Sequence, residues 1–221
     1  MLQVLTLLSI SIAILNQAFM SEFIGWRILG SFAMPACAFF VANELKPRKR
    51  ADPTRFLIEL AVLALICQFP YTFIHQPAGF EVDAVWGLLA GAGFVLAIQD
   101  LPPRLQLYCL PLLFFIFAWS KFEYQYLAPC FVAIFYLFMV NRNTRNLRYI
   151  SCIILTSIWT ITHPAIENIL YPLWFFAIER VILLEKHNKA IRSHINRRLF
   201  YVVYACGLFI SAAAKAIIAA A

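Results

Sequence analysis

Charge is scarce in this 221-residue chain: Asp, Glu, Lys and Arg together make up 13% of it, about half the share of a soluble domain. That scarcity excludes a soluble globular enzyme. The six cysteines (Cys37, Cys67, Cys109, Cys130, Cys152 and Cys206) all sit within apolar runs, with no Cys-x-x-Cys pair and no zinc-like spacing. They read as core or lipid-facing thiols, and no metal is expected. Met1 to Phe19 lacks the basic stretch that opens a cleaved signal peptide, and a second apolar stretch follows almost at once. The N-terminus therefore reads as a first membrane span. No inverted repeat and no run of intramembrane acids is visible.

What the chain has in abundance is apolar surface, with 63% hydrophobic and 16% aromatic residues and a mean hydropathy of +0.79. Backbone amides cannot be left unpaired in hydrocarbon, so each apolar stretch is expected to be a helix. At about 20 residues per span, helices are expected at 2–20, 23–43, 56–74, 84–99, 105–119, 125–140, 149–163, 169–184 and 199–219. The expected fold is all-α: a polytopic integral membrane bundle of about nine transmembrane helices, forming a single transmembrane domain over 1–221. Pro35, Pro111, Pro129 and Pro172 interrupt apolar runs and are expected to kink or break helices. Gly87-x-x-x-Gly91 permits close helix approach.

The net charge of +7 and isoelectric point near 9.2 suggest nucleic acid until the bases are located. Four loops, 44–55, 100–104, 141–148 and 185–198, hold 14 of the 18 Lys and Arg residues. The alternate connections, around Glu22, His75 to Asp83, Ser120 to Glu123 and Pro164 to Asn168, add only Lys121. Cytoplasmic loops carry the Lys/Arg excess, so the N-terminus is expected in the cytoplasm and the C-terminus outside. No nucleic-acid role is needed, and membrane lipids are expected partners. The run Lys46, Arg48, Lys49 and Arg50 is a candidate grip for anionic lipid or for the phosphates of a nucleotide-bearing cofactor.

Polar groups at membrane depth are costly and therefore informative. Asn16 and Gln17 close the first span, Arg27 opens the second, Gln68 and His75 end the third, Asp83 opens the fourth, and His163 closes the seventh with Glu167 just beyond. All are expected toward the outer leaflet. Arg27 and Glu22 are near enough in sequence to pair. His163, before Pro164, is a candidate proton acceptor, since small environmental shifts move an imidazole across neutral pH; a satisfied interfacial polar tip is the plainer reading. Glu59 and Glu179-Arg180 read as ion pairs that fix helix register.

The stretch Arg27-Ile-Leu-Gly30-Ser-Phe-Ala33-Met-Pro35-Ala-Cys-Ala-Phe39, the basic loop, and Arg55-Phe-Leu-Ile-Glu59-Leu60 running to Gln68-Phe69-Pro70-Tyr71 together resemble the N-terminal signature of the TraX family. Asp83-Ala-Val-Trp86-Gly-Leu-Leu-Ala-Gly91 resembles the family's fourth helix, and Phe200-Tyr201-Val-Val-Tyr204-Ala-Cys-Gly207-Leu208 its last. The resemblance implies a multi-pass inner-membrane protein of conjugative, type IV secretion systems, a lineage whose founding activity is N-terminal acetylation of pilin. It also implies a pilin partner and acetyl-CoA as acyl donor.

The departures bear on chemistry. Family members typically carry Asp-His where this chain has Asn16-Gln17, Gly-Arg where it has Gly30-Ser31, arginine at Glu59 and histidine at Gly207. Acylating an amine needs a base for its proton and a donor for the oxyanion, and the amides of Asn16 and Gln17 donate hydrogen bonds but take no proton near neutral pH. The expectation is a protein that binds or matures pilin, with catalysis optional. The enzyme alternative places Lys46, Arg48, Lys49 and Arg50 on acetyl-CoA, uses His163 or His75 as the base beside Asn16 and Gln17, and leaves Arg27, Asp83 and Tyr124 for substrate. A small membrane transporter is a third reading, because broken helices and polar groups at depth are typical there.

Overall fold

In a computed structural model of the chain, residues 2–19, 24–46, 52–75, 81–118, 124–140, 145–187 and 197–220 are described. They form eleven helices: α1 (Leu2–Phe19), α2 (Ile24–Ser31), α3 (Ala33–Glu44), α4 (Pro53–His75), α5 (Ala84–Ile98), α6 (Pro103–Phe117), α7 (Leu127–Val140), α8 (Arg145–Thr162), α9 (Ile166–Ile169), α10 (Tyr171–His187) and α11 (Arg197–Ala220). Every stretch expected to be helical is helical, with ends displaced by a few residues. The second is divided at Phe32, and a short α9 turn lies ahead of α10.

Among the described residues, three helices are long and apolar enough to cross a membrane by length and composition: Ile24–Glu44, taking α2 and α3 together, Pro53–Ile74 and Leu199–Ile218. Others, such as Leu2–Asn16, Ala84–Ile98 and Leu127–Val140, are apolar but shorter. The outward surface is apolar too. Ile210, Ile217 and Ile218 on α11 and Leu65 and Phe69 on α4 are all exposed. Contiguous apolar surface of this kind suits hydrocarbon rather than water, and the architecture is that of a helical membrane bundle.

Pro35, Pro129 and Pro172 fall in the first turns of α3, α7 and α10, where the missing N–H has no intrahelical acceptor to lose. The break at Phe32 just ahead of Pro35 and the one between α9 and α10 just ahead of Pro172 agree with the expected helix breaks. Pro70 and Pro111 lie inside α4 and α6.

At the centre stands α7, buried on every side from Leu127 to Leu137, as a helix apolar all round must be. Phe135 meets Phe39 of α3 edge-on at 5.7 Å and stacks on Phe175 of α10 at 4.7 Å. Against α5 the approach is closer still: a Cβ added to Gly91 would lie 2.8 Å from the Cα of Pro129. Only a glycine lets the two backbones come this near.

Three side-chain amides serve the connections between helices. The Gln68 amide donates to Glu81 O at 2.9 Å, and its carbonyl oxygen accepts from the Asp83 N–H at 3.1 Å. The Gln106 amide donates to Gln99 O and Leu101 O, each at 2.9 Å, and the Asn168 amide donates to His163 O at 2.7 Å. Backbone that leaves a helix within an apolar bundle has no water to satisfy it, and these amides take water's place. Gln68 also fixes depth. It holds residues 81–83 level with the body of α4, so the start of α5 is drawn down into the bundle rather than left at its rim.

Candidate functional site

A cavity of about 100 Å3 runs between α1, α3, α4, α5 and α11. Ile10, Ala13 and Ile14 of α1 and Phe200, Tyr201 and Tyr204 of α11 line it, and Leu60, Leu63 and Leu88 contribute from α4 and α5. Along α3 the wall extends from Ala33 to Glu44, about 16 Å at the helical rise. Tyr124 and the first residues of α5, Ala84 and Val85, line it as well.

Directly behind that wall lies Asp83, fully buried. It is the N-cap of α5: its Oδ1 accepts from the Val85 N–H at 2.9 Å, satisfying one of the helix's orphan donors. The same oxygen accepts from the Tyr204 hydroxyl at 2.8 Å. The other oxygen, Oδ2, is buried without a hydrogen-bond partner among the described residues. The cavity thus has an apolar body and, beside one end, a carboxylate with unused acceptor capacity. At the other end stands Glu44.

The remaining candidates are dispersed. Asn16 lies two residues beyond Ile14 on α1, half-buried, with its Oδ1 screened from solvent and unbonded among the described residues. Gln17 and His75 belong to α1 and α4, but their side chains lie outside the described residues. Arg27 is half-buried on α2 and engaged in an interaction; Glu22, its expected partner, lies outside the described residues. His163 follows α8, its ring stacked on Trp159 at 4.0 Å and its Nδ1 2.9 Å from the Thr162 hydroxyl. Trp159 in turn contacts Tyr124 at 6.5 Å, so His163 stands two rings away from the cavity wall.

Of the four bases proposed for cofactor phosphates, Lys46 is described, just past Glu44 at the end of α3; Arg48, Lys49 and Arg50 lie outside the described residues. The described part of the cavity wall carries no lysine or arginine, so it does not itself form a phosphate cradle. Glu59 pairs with Arg55 of its own helix at 3.3 Å, and Glu179 accepts from the Tyr149 hydroxyl across α8 and α10. The first is an ion pair within one helix and the second a hydrogen bond from a phenol between two helices.

A family model described as TraX protein matches residues 1–213. The chain belongs to the TraX family. No curated protein and no solved structure matches it. Membership links the chain to conjugative pilus biogenesis.

Two of the positions that the resemblance singled out take part in packing and in neutral hydrogen bonds. A Cβ on Gly207 would meet Ile14 Cδ1 at 2.7 Å, so α1 and α11 touch there. Ser31 accepts from the Trp174 indole N–H at 2.8 Å and donates to Ile28 O at 2.7 Å. The residue that the sequence did not single out for chemistry is Tyr204. Its signals are its place in the last-helix stretch that resembles the family and its position with Phe200 and Tyr201 on one turn-spaced aromatic face of α11.

Proposed function

We propose that this protein is a multi-pass inner-membrane factor of conjugative pilus biogenesis that binds the pilin subunit within the bilayer and holds it for maturation. The observation that carries this reading is the cavity between α1, α3, α4, α5 and α11, with the buried Asp83–Tyr204 pair behind its wall. Pilins are short hydrophobic hairpins, and the lipid-facing apolar helices suit contact with such a guest, while the cavity, about 100 Å3, has room only for a small terminal group of it.

Nine spans with a cytoplasmic N-terminus are part of the proposal. The alternation of basic loops supports it, because the Lys/Arg excess marks the cytoplasmic side. Helix directions are compatible with it. Tyr204 and Lys215 on α11 reach, in the same order, the levels of Gln68 and Ile74 on α4, so α4 and α11 run parallel, as the third and ninth of nine spans would.

The test compares the cognate pilin from cells with and without the gene, by intact mass and by capture in detergent. A handling factor co-purifies with pilin and leaves its mass unchanged. A mass difference of one acetyl group would instead establish the acetyltransferase alternative, with acetyl-CoA as donor. Failure to capture pilin, with no change of mass, would reject both and leave the transporter reading.

A further inference from the structure

We propose that the cavity between α1, α3, α4, α5 and α11 is filled, when no guest is bound, by the end of an acyl chain from a bilayer phospholipid. The site does not rest on the function proposed above; on that reading, the chain end is what a pilin guest displaces.

What the wall does not hold comes first. Its described residues include no lysine, arginine or histidine, so an anion finds no counter-charge there. Its charged or hydroxyl-bearing side chains are Glu44, Tyr124, Tyr201 and Tyr204, and each already takes part in an interaction of its own. The Tyr204 hydroxyl, for one, donates to Asp83. A buried water asks for two to four polar partners, and the rest of the wall is aliphatic, aromatic, thioether or thiol. Among the described residues, no group of three His, Cys, Asp or Glu side chains is placed to hold a metal ion. An apolar occupant is what remains.

The surroundings supply one. Leu60 and Leu63 of α4 line the cavity, whereas Ile58 and Val62 on the same stretch are exposed. On α11, Tyr201 and Tyr204 line it and Val202 between them is exposed. A single helix therefore separates the cavity from the hydrocarbon of the bilayer. The space itself is made by small side chains on three helices, Ala13 of α1, Ala33 of α3 and Ala84 of α5, and left empty it forfeits dispersion contacts with its whole lining. Lipid tails are as apolar as leucine, so a chain end that moves in gives up nothing polar and restores those contacts. Size limits how much enters: a dry apolar cavity of about 150 Å3 takes up one benzene, so about 100 Å3 holds about four carbons, the methyl end of a chain and not its head group.

The experiment places the full chain, without pilin, in nanodiscs doped with a phosphatidylcholine that carries a diazirine at the end of one acyl chain. After irradiation, the labelled residues are mapped by mass spectrometry. Val62 and Ile210, exposed on the outer surface, report labelling from the bulk bilayer. Label is expected on Met34, Cys37 and Leu63 of the cavity wall as well, and is expected to be lost from them in Ala33→Leu and in Ala84→Leu, which fill the space, while Val62 and Ile210 stay labelled. Label on Val62 and Ile210 but on none of the three wall residues overturns the proposal, as does wall label that survives in a folded filling variant. The two variants lie on different helices, so that one serves if the other fails to fold; if neither folds, the wild-type protein alone decides. Because no pilin is present, either result stands whether or not pilin is captured.

Discussion

Tyr204 of α11 donates its hydroxyl proton to Asp83 at the head of α5 at 2.8 Å, joining residues 121 positions apart. The contact ties the last long helix to the turn that opens α5, and Gln68 of α4 holds the same turn through Glu81 O and the Asp83 N–H. Three elements distant in sequence thereby meet at one buried carboxylate beside the cavity.

The stability of that junction is separable by substitution. Asp83→Ala removes the cap of α5 and the carboxylate that accepts from the Tyr204 hydroxyl, and is expected to cost about 1–3 kcal/mol. Asp83→Asn still caps the helix and is expected to cost less. Thermal unfolding of the purified protein in detergent, following helical circular dichroism, orders the two.

Gly91 and Gly93 make a paired test of helix approach. A Cβ at Gly91 would meet the backbone of Pro129, which cannot turn aside, whereas one at Gly93 meets nothing within 4 Å. Gly91→Ala is expected to destabilise the protein by about 1–3 kcal/mol through overpacking. Gly93→Ala is expected to be neutral or mildly stabilising, since alanine is the better helix former. Matching losses in the same unfolding assay would contradict the α5–α7 packing.

Gln68→Leu keeps the volume of the side chain and deletes its hydrogen bonds to Glu81 O and the Asp83 N–H. The expected consequence is local: faster amide hydrogen exchange over residues 81–85, with little change in the body of α4. Unchanged exchange there would mean that the turn is held without its amide latch.

Ser31→Ala leaves the Trp174 indole N–H without the acceptor it has at 2.8 Å. A lost partner for a partly buried donor costs about 1–3 kcal/mol. Besides a lower unfolding temperature, the tryptophan emission is expected to shift, which Ser31→Thr, retaining a hydroxyl, is expected to reverse.

The positions of the helices were legible from residue order alone because hydrocarbon imposes a one-dimensional rule: a long apolar run with its amides satisfied internally is a helix. Polar residues at depth were equally visible, and Gln68, Asp83 and His163 were marked by type. Their partners were not. In a water-soluble protein the polar stripe of a helix betrays which face turns outward, but lipid accepts apolar side chains on the outside as readily as the core does on the inside. An α4 that exposes Leu65 and Phe69 while burying Leu60, Ala64 and Cys67 therefore carries little periodic signal of its inner face. Sequence by itself determined the helices, the family likeness and the costly polar groups; only tertiary packing decided which of those groups meet, because the bundle's interior and its lipid surface are built from the same chemistry.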